Sequence, residues 1–188
     1  MRWSTHYIES RSNFSLRTEG EKRQALESRG VVPGFWKALP EVQGDNMTQK
    51  ILGIDFGLRQ FAVVSDGAIF TVEGKRTLET EAAALDRLCR YILANCTIVA
   101  VKGLNGTEAV ARYVSWFKKS MRRRDPNRTV RIITVTNNYP SSTLCSTCEH
   151  RHDRSREHLF KCESCGFEVD RDLNAAKNLA LYALWHQN

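Results

Sequence analysis

Two cysteine pairs near the end of the chain, Cys145-Ser-Thr-Cys148 and Cys162-Glu-Ser-Cys165, lead into the run Asp170-Arg171-Asp172-Leu173-Asn174. A CxxC turn lets two sulfurs face one metal, and four thiolates complete the tetrahedral coordination that zinc prefers. The thirteen residues between the pairs are slightly fewer than the usual fifteen to twenty or so, yet they suffice for two strands and a turn. The pattern predicts a structural zinc ribbon with the ligands Cys145, Cys148, Cys162 and Cys165.

Composition limits the class of protein. The chain has 188 residues, 41% of them hydrophobic, which is enough for one medium domain and a small metal-supported one. No apolar run is long enough to span a membrane, and the first thirty residues are too charged for a signal peptide. We therefore expect a cytoplasmic protein without a membrane partner, whose cysteines stay reduced. Cys89 and Cys96, outside the two pairs, are expected to fill the core.

The charge of the chain indicates a polyanionic partner. The formal net charge is +7, and the isoelectric point is near 9.3, as is typical of proteins that bind nucleic acid. Between Arg112 and Arg131 the sequence carries eight Lys or Arg residues and one acid, Asp125. Such a run is often only a solvated helix face, but next to a zinc ribbon we favour contact with phosphates. The predicted contacts are Arg112, Lys118, Lys119, Arg122, Arg123, Arg124 and Arg128.

The hydrophobic pattern from residue 50 onwards predicts a mixed α/β domain. Three strands, with Asp66-Gly67 as a hairpin turn, are followed by a helix, a buried strand, a helix capped by Thr107, another strand, the ribbon and a last helix. Their expected ranges are 51–55, 60–65, 68–72, 77–95, 97–101, 107–121, 130–135, 139–168 and 173–185. This order is typical of an RNase H-like fold.

The same pattern predicts the domain organisation. Residues 1–49 form an N-terminal extension or linker, with a short helix that a capping box opens at Thr18 and Gly30 closes. Residues 50–138 and 169–188 form the RNase H-like domain, and residues 139–168 form the inserted zinc ribbon.

Several of these motifs resemble one protein family. The relevant segments are Gly53-Ile-Asp55-Phe-Gly57, Val99-Ala-Val-Lys102-Gly-Leu104-Asn105, the two cysteine pairs and Asp170-Arg-Asp172-Leu-Asn174-Ala-Ala-Lys-Asn178. They are similar to the RuvC-like nuclease domain of the transposon-encoded OrfB/TnpB proteins and of small type V CRISPR effectors. The resemblance implies a RuvC fold, association with the prokaryotic nucleoid, and DNA, guide RNA or both as partners. Family members carry a long N-terminal recognition region, which a larger partner protein would have to supply here.

The resemblance also implies a catalytic site with one acid replaced. Nucleases of this kind hold two Mg²⁺ with three carboxylates, two of which correspond to Asp55 and Asp172. The remaining position, which is second in chain order, is a Glu in the family and Lys102 here. The three side chains therefore offer a charge of −1 rather than −3. An ammonium at 4 Å from a carboxylate gains about 1–4 kcal/mol, and we expect Lys102 to satisfy both aspartates in place of metal. The hypothesis is a nuclease-deficient nucleic-acid-binding protein, with Mg²⁺ as cofactor only if the site functions.

Other interpretations stay open at this point. Asp55 could be a turn residue, Asp172 or its neighbour Asp170 could be the N-cap of the last helix, and Glu108 could replace the missing acid. The chain could be an active metal-dependent DNA endonuclease, a protein–protein docking subunit of a larger effector, or a decayed transposon remnant. Between the cysteine pairs, His150, His152 and His158 are expected to be solvated or to face phosphate rather than to bind the metal.

Overall fold

The structure is a computed structural model that describes residues 50–103, 106–153 and 157–186. The short helix predicted within residues 1–49 lies outside the described residues. Among the helices of the described ranges, none combines the length and the apolar character needed to cross a membrane.

Five strands form one mixed sheet. In chain order they are β1 (Ile51–Phe56), β2 (Ala62–Val64), β3 (Ile69–Phe70), β4 (Ile98–Lys102) and β5 (Arg131–Val135), and the sheet order is β3-β2-β1-β4-β5. The first three pair antiparallel, whereas β4 runs parallel to both β1 and β5. The mixed α/β architecture predicted from the sequence is confirmed.

The predicted hairpin between β2 and β3 is present. The amide of Val64 donates to the carbonyl of Ala68 at 2.9 Å, and Gly67 adopts a φ of 96°, which residues with a side chain rarely take. Both strands are shorter than predicted. The predicted ranges were too long because residues 60–72 include apolar side chains that lie outside the paired segments. The hydrophobic pattern marks burial, and Phe61 is fully buried without belonging to a strand.

In the described ranges, three helices accompany the sheet: α1 (Leu78–Asn95), α2 (Glu108–Arg124) and α3 (Arg171–Trp185). Thr107 caps α2 by accepting from the amide of Val110, as predicted. Helix α2 runs three residues past its predicted end, since Arg122–Arg124 suit the negative end of the helix dipole. Helix α3 begins two residues earlier than predicted because its N-cap is Asp170, which accepts from the amides of Asp172 and Leu173.

The sheet separates two apolar layers. Alternate residues of β1 and β4 face α1 and α2, as Leu52, Ile54, Val99 and Val101 do. The residues in between, such as Ile51, Ile98 and Ala100, face α3. Cys89 and Cys96 lie in the layer of α1 and α2, so both fill the core as predicted.

Helix α3 lies directly on the central strand. A Cβ added to Gly53 would come within 2.0 Å of the carbonyl oxygen of Ala176 and 2.6 Å of the amide nitrogen of Ala180. Glycine is therefore required at this point of β1 for the backbones to approach so closely. The close approach also fixes the first turn of α3 relative to the carboxyl end of β1.

Between β5 and α3 the chain forms a small metal-site segment. Its strands β6 (Leu159–Lys161) and β7 (Glu168–Asp170) pair antiparallel, and Leu144 forms an isolated bridge with Arg151. Strand β7 ends at the residue that caps α3, so this segment continues without a linker into the helix.

Candidate metal centre and nuclease-like site

The four predicted cysteines come together. Their sulfurs all lie within 4.8 Å of one another, with 3.7 Å between Cys145 and Cys165 and 3.6 Å between Cys148 and Cys162. A tetrahedral zinc with Zn–S bonds of about 2.3 Å requires sulfurs about 3.8 Å apart. The cluster therefore fits a structural zinc ion, and four thiolates leave no open coordination position for catalysis.

The four thiols of the cluster affect one another. Hydrogen bonds among them lower the pKa of Cys148 and Cys162 and raise the pKa of Cys145 and Cys165. The amides of Thr147 and Cys165 donate to the sulfurs of Cys145 and Cys162. Amide donors of this kind stabilise negative charge on sulfur, so the backbone of each CxxC turn supports metal binding.

His152 does not match the prediction that all three histidines of this segment are solvated or face phosphate. Its Nε2 atom lies 3.2 Å from the sulfur of Cys162, and its ring packs edge-on against Phe160 with centroids 5.3 Å apart. His150 and His158 are exposed, as predicted. The sequence pattern could not distinguish the three, because only the pairing of the ribbon strands brings residue 152 to the metal ligands.

Replacing His152 with alanine is expected to weaken zinc binding by about tenfold, because partners that hold metal ligands contribute that much to affinity. Competition with a chromophoric zinc chelator measures the change. His158→Ala, which removes an exposed histidine from the same segment, is the matched control and should leave the affinity unchanged. Equal affinities of the His152→Ala protein and the wild type would contradict this role.

Two buried asparagines attach α3 to the first cysteine pair. The side-chain amide of Asn174 donates to the carbonyl of Leu144 at 2.8 Å, and its oxygen accepts from the amide of Ser146 at 3.0 Å. Asn178 donates to the carbonyls of Ser141 and Leu144 at 2.8 and 2.6 Å. The asparagines of the Asp-Leu-Asn-Ala-Ala-Lys-Asn run thus couple the metal centre to the helix that carries Asp172.

The strand register brings Asp55 and Lys102 together. Ile54 pairs with Val101 in the parallel ladder, so the next residues of the two strands, Asp55 and Lys102, are neighbours at the carboxyl edge of the sheet. Successive side chains of a strand point to opposite faces, and these two share the face of Ile51, Ile98 and Ala100, which is covered by α3. Both side chains are half-buried.

Asp172 lies in the first turn of α3, near the same edge. Its side chain is 14% exposed, and one carboxylate oxygen accepts from Arg59 at 3.1 Å. The same guanidinium nitrogen donates to Asp170 at 2.6 Å, and Arg171 approaches Asp172 to 3.7 Å. Arg59, four residues after Asp55 in the β1–β2 connection, was not predicted as a site residue, because its acidic partners lie 111 and 113 positions away in the chain.

The electrostatics of Asp55 show that the site is crowded. Burial, and to a lesser extent the charge of Asp172, raises the pKa of the Asp55 carboxyl to about 7, although Lys102 and Arg171 act in the opposite direction. The ammonium of Lys102 also donates to the hydroxyl of Ser141 at 3.2 Å. A cavity of about 210 Å³ opens beside them, lined in part by Asp55, Lys102, Gly103 and Ser141.

Known proteins are similar in sequence to the C-terminal part of this chain. Residues 119–179 match the family described as Cas12f1-like, TNB domain. The TnpB-like proteins L79 and L770 of Acanthamoeba polyphaga mimivirus are each 40% identical over 57 residues, which is 29% of this chain and 11% of each relative. This part of the chain is similar to Cas12f1-like and TnpB-like proteins.

The extent of these similarities is limited. The chain matches only 11% of the length of these mimivirus proteins. It is also similar to a chain in the cryo-EM structure of the Cas12f1–sgRNA–target DNA complex, with a TM-score of 0.48 and 18% identity, covering 69% of this chain and 49% of that chain.

The basic run between Arg112 and Arg131 does not form one surface. Arg112 donates to the buried carboxylate of Glu81 at 3.1 Å, and Arg124 pairs with Asp86. Lys119 and Arg123 line a groove between α1 and α2. The remaining predicted contacts, Lys118, Arg122 and Arg128, line a second groove between α2 and β5.

Glu108 is exposed at the first position of α2. It does not line the cavity beside Asp55 and Lys102 as far as the described residues define it. The arrangement therefore gives no support to Glu108 as a substitute for the missing acid.

Proposed function

We propose that the TnpB-like chain is a nucleic-acid-binding RuvC-like domain with a structural zinc ribbon, whose nuclease site does not cleave. The observation that carries the proposal is Lys102 at the end of β4. Its strand register places it beside Asp55, where the family resemblance leads one to expect the second metal-binding acid. A cation there opposes the binding of two dications.

The order of the elements supports an RNase H-like domain. The sheet order β3-β2-β1-β4-β5 combines an antiparallel meander with two parallel strands. Asp55 lies in the central strand β1, and Asp172 lies in the first turn of the helix packed on that strand. We assign residues 50–138 and 169–188 to this domain and residues 139–168 to the zinc ribbon, preceded by the extension 1–49.

The charges around the site support its inactivity. Three carboxylates and three cations interact at this site. The carboxylates are those of Asp55, Asp170 and Asp172, and the cations are those of Arg59, Lys102 and Arg171. Divalent metal would have to separate Arg59 from both α3 aspartates and to approach the ammonium of Lys102. Both steps cost electrostatic free energy, which grows as the site becomes less solvated.

The proposed partners are DNA, guide RNA or both. Support comes from the net charge of +7 and from the match to the Cas12f1-like TNB domain. Because the chain covers a small part of its curated relatives, we propose that recognition of a particular sequence is supplied by a further protein region.

The zinc-loaded wild type is expected to bind labelled single- or double-stranded DNA without cutting it. Filter binding should show an affinity that falls steeply between about 50 and 200 mM salt, since phosphate contacts release counterions. Incubation with Mg²⁺ or Mn²⁺ should leave the DNA intact. Cleavage that Asp55→Ala abolishes would establish an active nuclease instead, and the absence of binding at about 50 mM salt would exclude a nucleic-acid-binding protein.

A further inference from the structure

A groove lies between α2 and the strand β5. Its volume is about 440 Å³, and it is lined by four cationic side chains, those of Lys118, Arg122, Arg128 and Arg131. Strand β5 ends the sheet order of the described strands. The four cations come from a helix, a turn and a strand, so the fold, rather than a charged stretch of helix, brings them together.

Asp125 is the single acid among the described lining residues of this groove, and it accepts hydrogen bonds from the backbone. Asp125 is 8% exposed, and its carboxylate accepts from the amides of Thr129 and Val130 at 2.8 and 2.5 Å. Burial raises the pKa of Asp125, but these amide donors outweigh it and lower the pKa overall. The carboxylate therefore shapes the turn that connects α2 to β5.

The turn holds Arg128 in an unfavourable backbone conformation. Its φ is 55°, in the left-handed region where glycine and asparagine are common and other residues are rare. The amide of Arg128 donates to the carbonyl of Asp125 at 3.1 Å, which closes the turn. A glycine would satisfy this backbone without strain, so the arginine is retained at a cost in stability, and residues held in this way are concentrated at binding sites.

The cations of the groove are also crowded. The Lys118 ammonium donates to the hydroxyl of Thr134 at 2.8 Å, which directs it over β5. Burial, together with the neighbouring charge of Arg122, lowers the pKa of Lys118. An anion between these side chains would relieve the electrostatic repulsion among the cations of the groove.

We propose that this groove holds the sugar–phosphate backbone of one nucleic-acid strand, independently of its sequence. The inference rests on the proposed nucleic-acid-binding function and specifies where and how the strand is held. The described lining residues include no aromatic side chain, so the groove lacks the platform on which bases stack. Contacts to phosphates alone carry no sequence information.

Arg128→Gly provides the decisive test, because it should change stability and affinity in opposite directions. Relief of the left-handed backbone is expected to raise the melting temperature by about 2–4 °C. Loss of one charged phosphate contact should weaken binding to a fluorescent oligothymidine strand about tenfold. The slope of log affinity against log salt should become shallower by about 0.7. A strand of random sequence and equal length should give the same changes.

Two further variants complete the experiment. Arg122→Gln removes a second groove cation without altering the turn and should also weaken binding about tenfold. Arg90→Gln removes the same charge from the exposed face of α1, where Arg90 pairs with Asp86 at 2.7 Å, and should leave affinity unchanged.

The outcomes separate this inference from the proposed function. Tight binding by Arg128→Gly and Arg122→Gln, or an equal loss in Arg90→Gln, would overturn the groove as the site while leaving nucleic-acid binding intact. A wild type that binds neither strand would overturn both. If Arg128→Gly lowered the melting temperature, the argument from backbone strain would fail, and with it this inference.

Discussion

Replacing Lys102 with glutamate is expected to convert the site beside Asp55 into one that binds divalent metal. The change replaces +1 by −1 beside Asp55, so the formal charge of Asp55, residue 102 and Asp172, each counted as ionised, goes from −1 to −3. Each charge pair near 4 Å contributes about 1–4 kcal/mol, which corresponds to a gain in Mn²⁺ affinity of about 5- to 900-fold. Titration of free Mn²⁺ by electron paramagnetic resonance measures the change.

Arg59 limits how far this single change restores cleavage. Its guanidinium bridges Asp170 and Asp172, so metal must compete with it even after Lys102 is replaced. We therefore expect weak Mg²⁺-dependent DNA cleavage by Lys102→Glu and stronger cleavage by Lys102→Glu with Arg59→Ala. Adding Asp55→Ala to either should abolish the activity.

Lys102→Gln is the matched control for charge. It removes the ammonium without supplying a carboxylate, so it should recover part of the Mn²⁺ affinity and none of the cleavage. If the wild type bound Mn²⁺ as tightly as Lys102→Glu does, Lys102 would not be what excludes metal, and the proposed inactivity would lose its cause.

Replacing Cys162 with serine is expected to remove the zinc and to unfold the segment between β5 and α3. Structural zinc sites contribute about 10–16 kcal/mol in small zinc-binding peptides, far more than the local apolar cluster around Phe160 can replace. The damage should extend to α3, because Asn174 and Asn178 bond to the chain at the first cysteine pair. Zinc content by atomic absorption and thermal unfolding by circular dichroism measure both effects.

Cys96→Ala separates the loss of a ligand from the loss of a buried thiol. Cys96 is a core residue at the C-terminal end of α1, outside the cluster of four cysteines, and burial raises the pKa of its thiol to about 12. Its replacement should leave zinc content unchanged and lower stability only modestly. Full zinc occupancy in Cys162→Ser would show that the four cysteines do not form the metal centre.

Local features of the site could be predicted where neighbouring residues determine them. The CxxC pairs specify a tetrathiolate cluster because each turn brings two sulfurs to one side. The apolar runs of β1 and β4 could also be predicted, and the family resemblance implied that Asp55 and Lys102 lie at the ends of these strands. The roles of Arg59 and His152 could not, because each depends on a partner that is distant in sequence: Asp172 for Arg59 and Cys162 for His152.

The basic run illustrates the same division. Its composition predicts a polyanionic partner, yet helix geometry distributes its members over different sides of α2. Arg112 and Arg124 pair with acids of α1, whereas Lys118 and Arg122 face β5. Sequence spacing alone does not reveal which neighbouring element each side meets.

The sequence by itself determined the element order, the zinc ligands and the reversal of charge at residue 102. These depend on residue type and on short-range periodicity, which the chain carries whatever its tertiary arrangement. The packing of α3 on Gly53, the bridge from Arg59 to the α3 aspartates, and the left-handed Arg128 in a cationic groove were decided only by the tertiary structure. The first two require segments far apart in the chain to meet at a fixed distance, and the groove requires α2 and β5 to pack side by side around a short turn. These distances are set by the packed sheet and helices together.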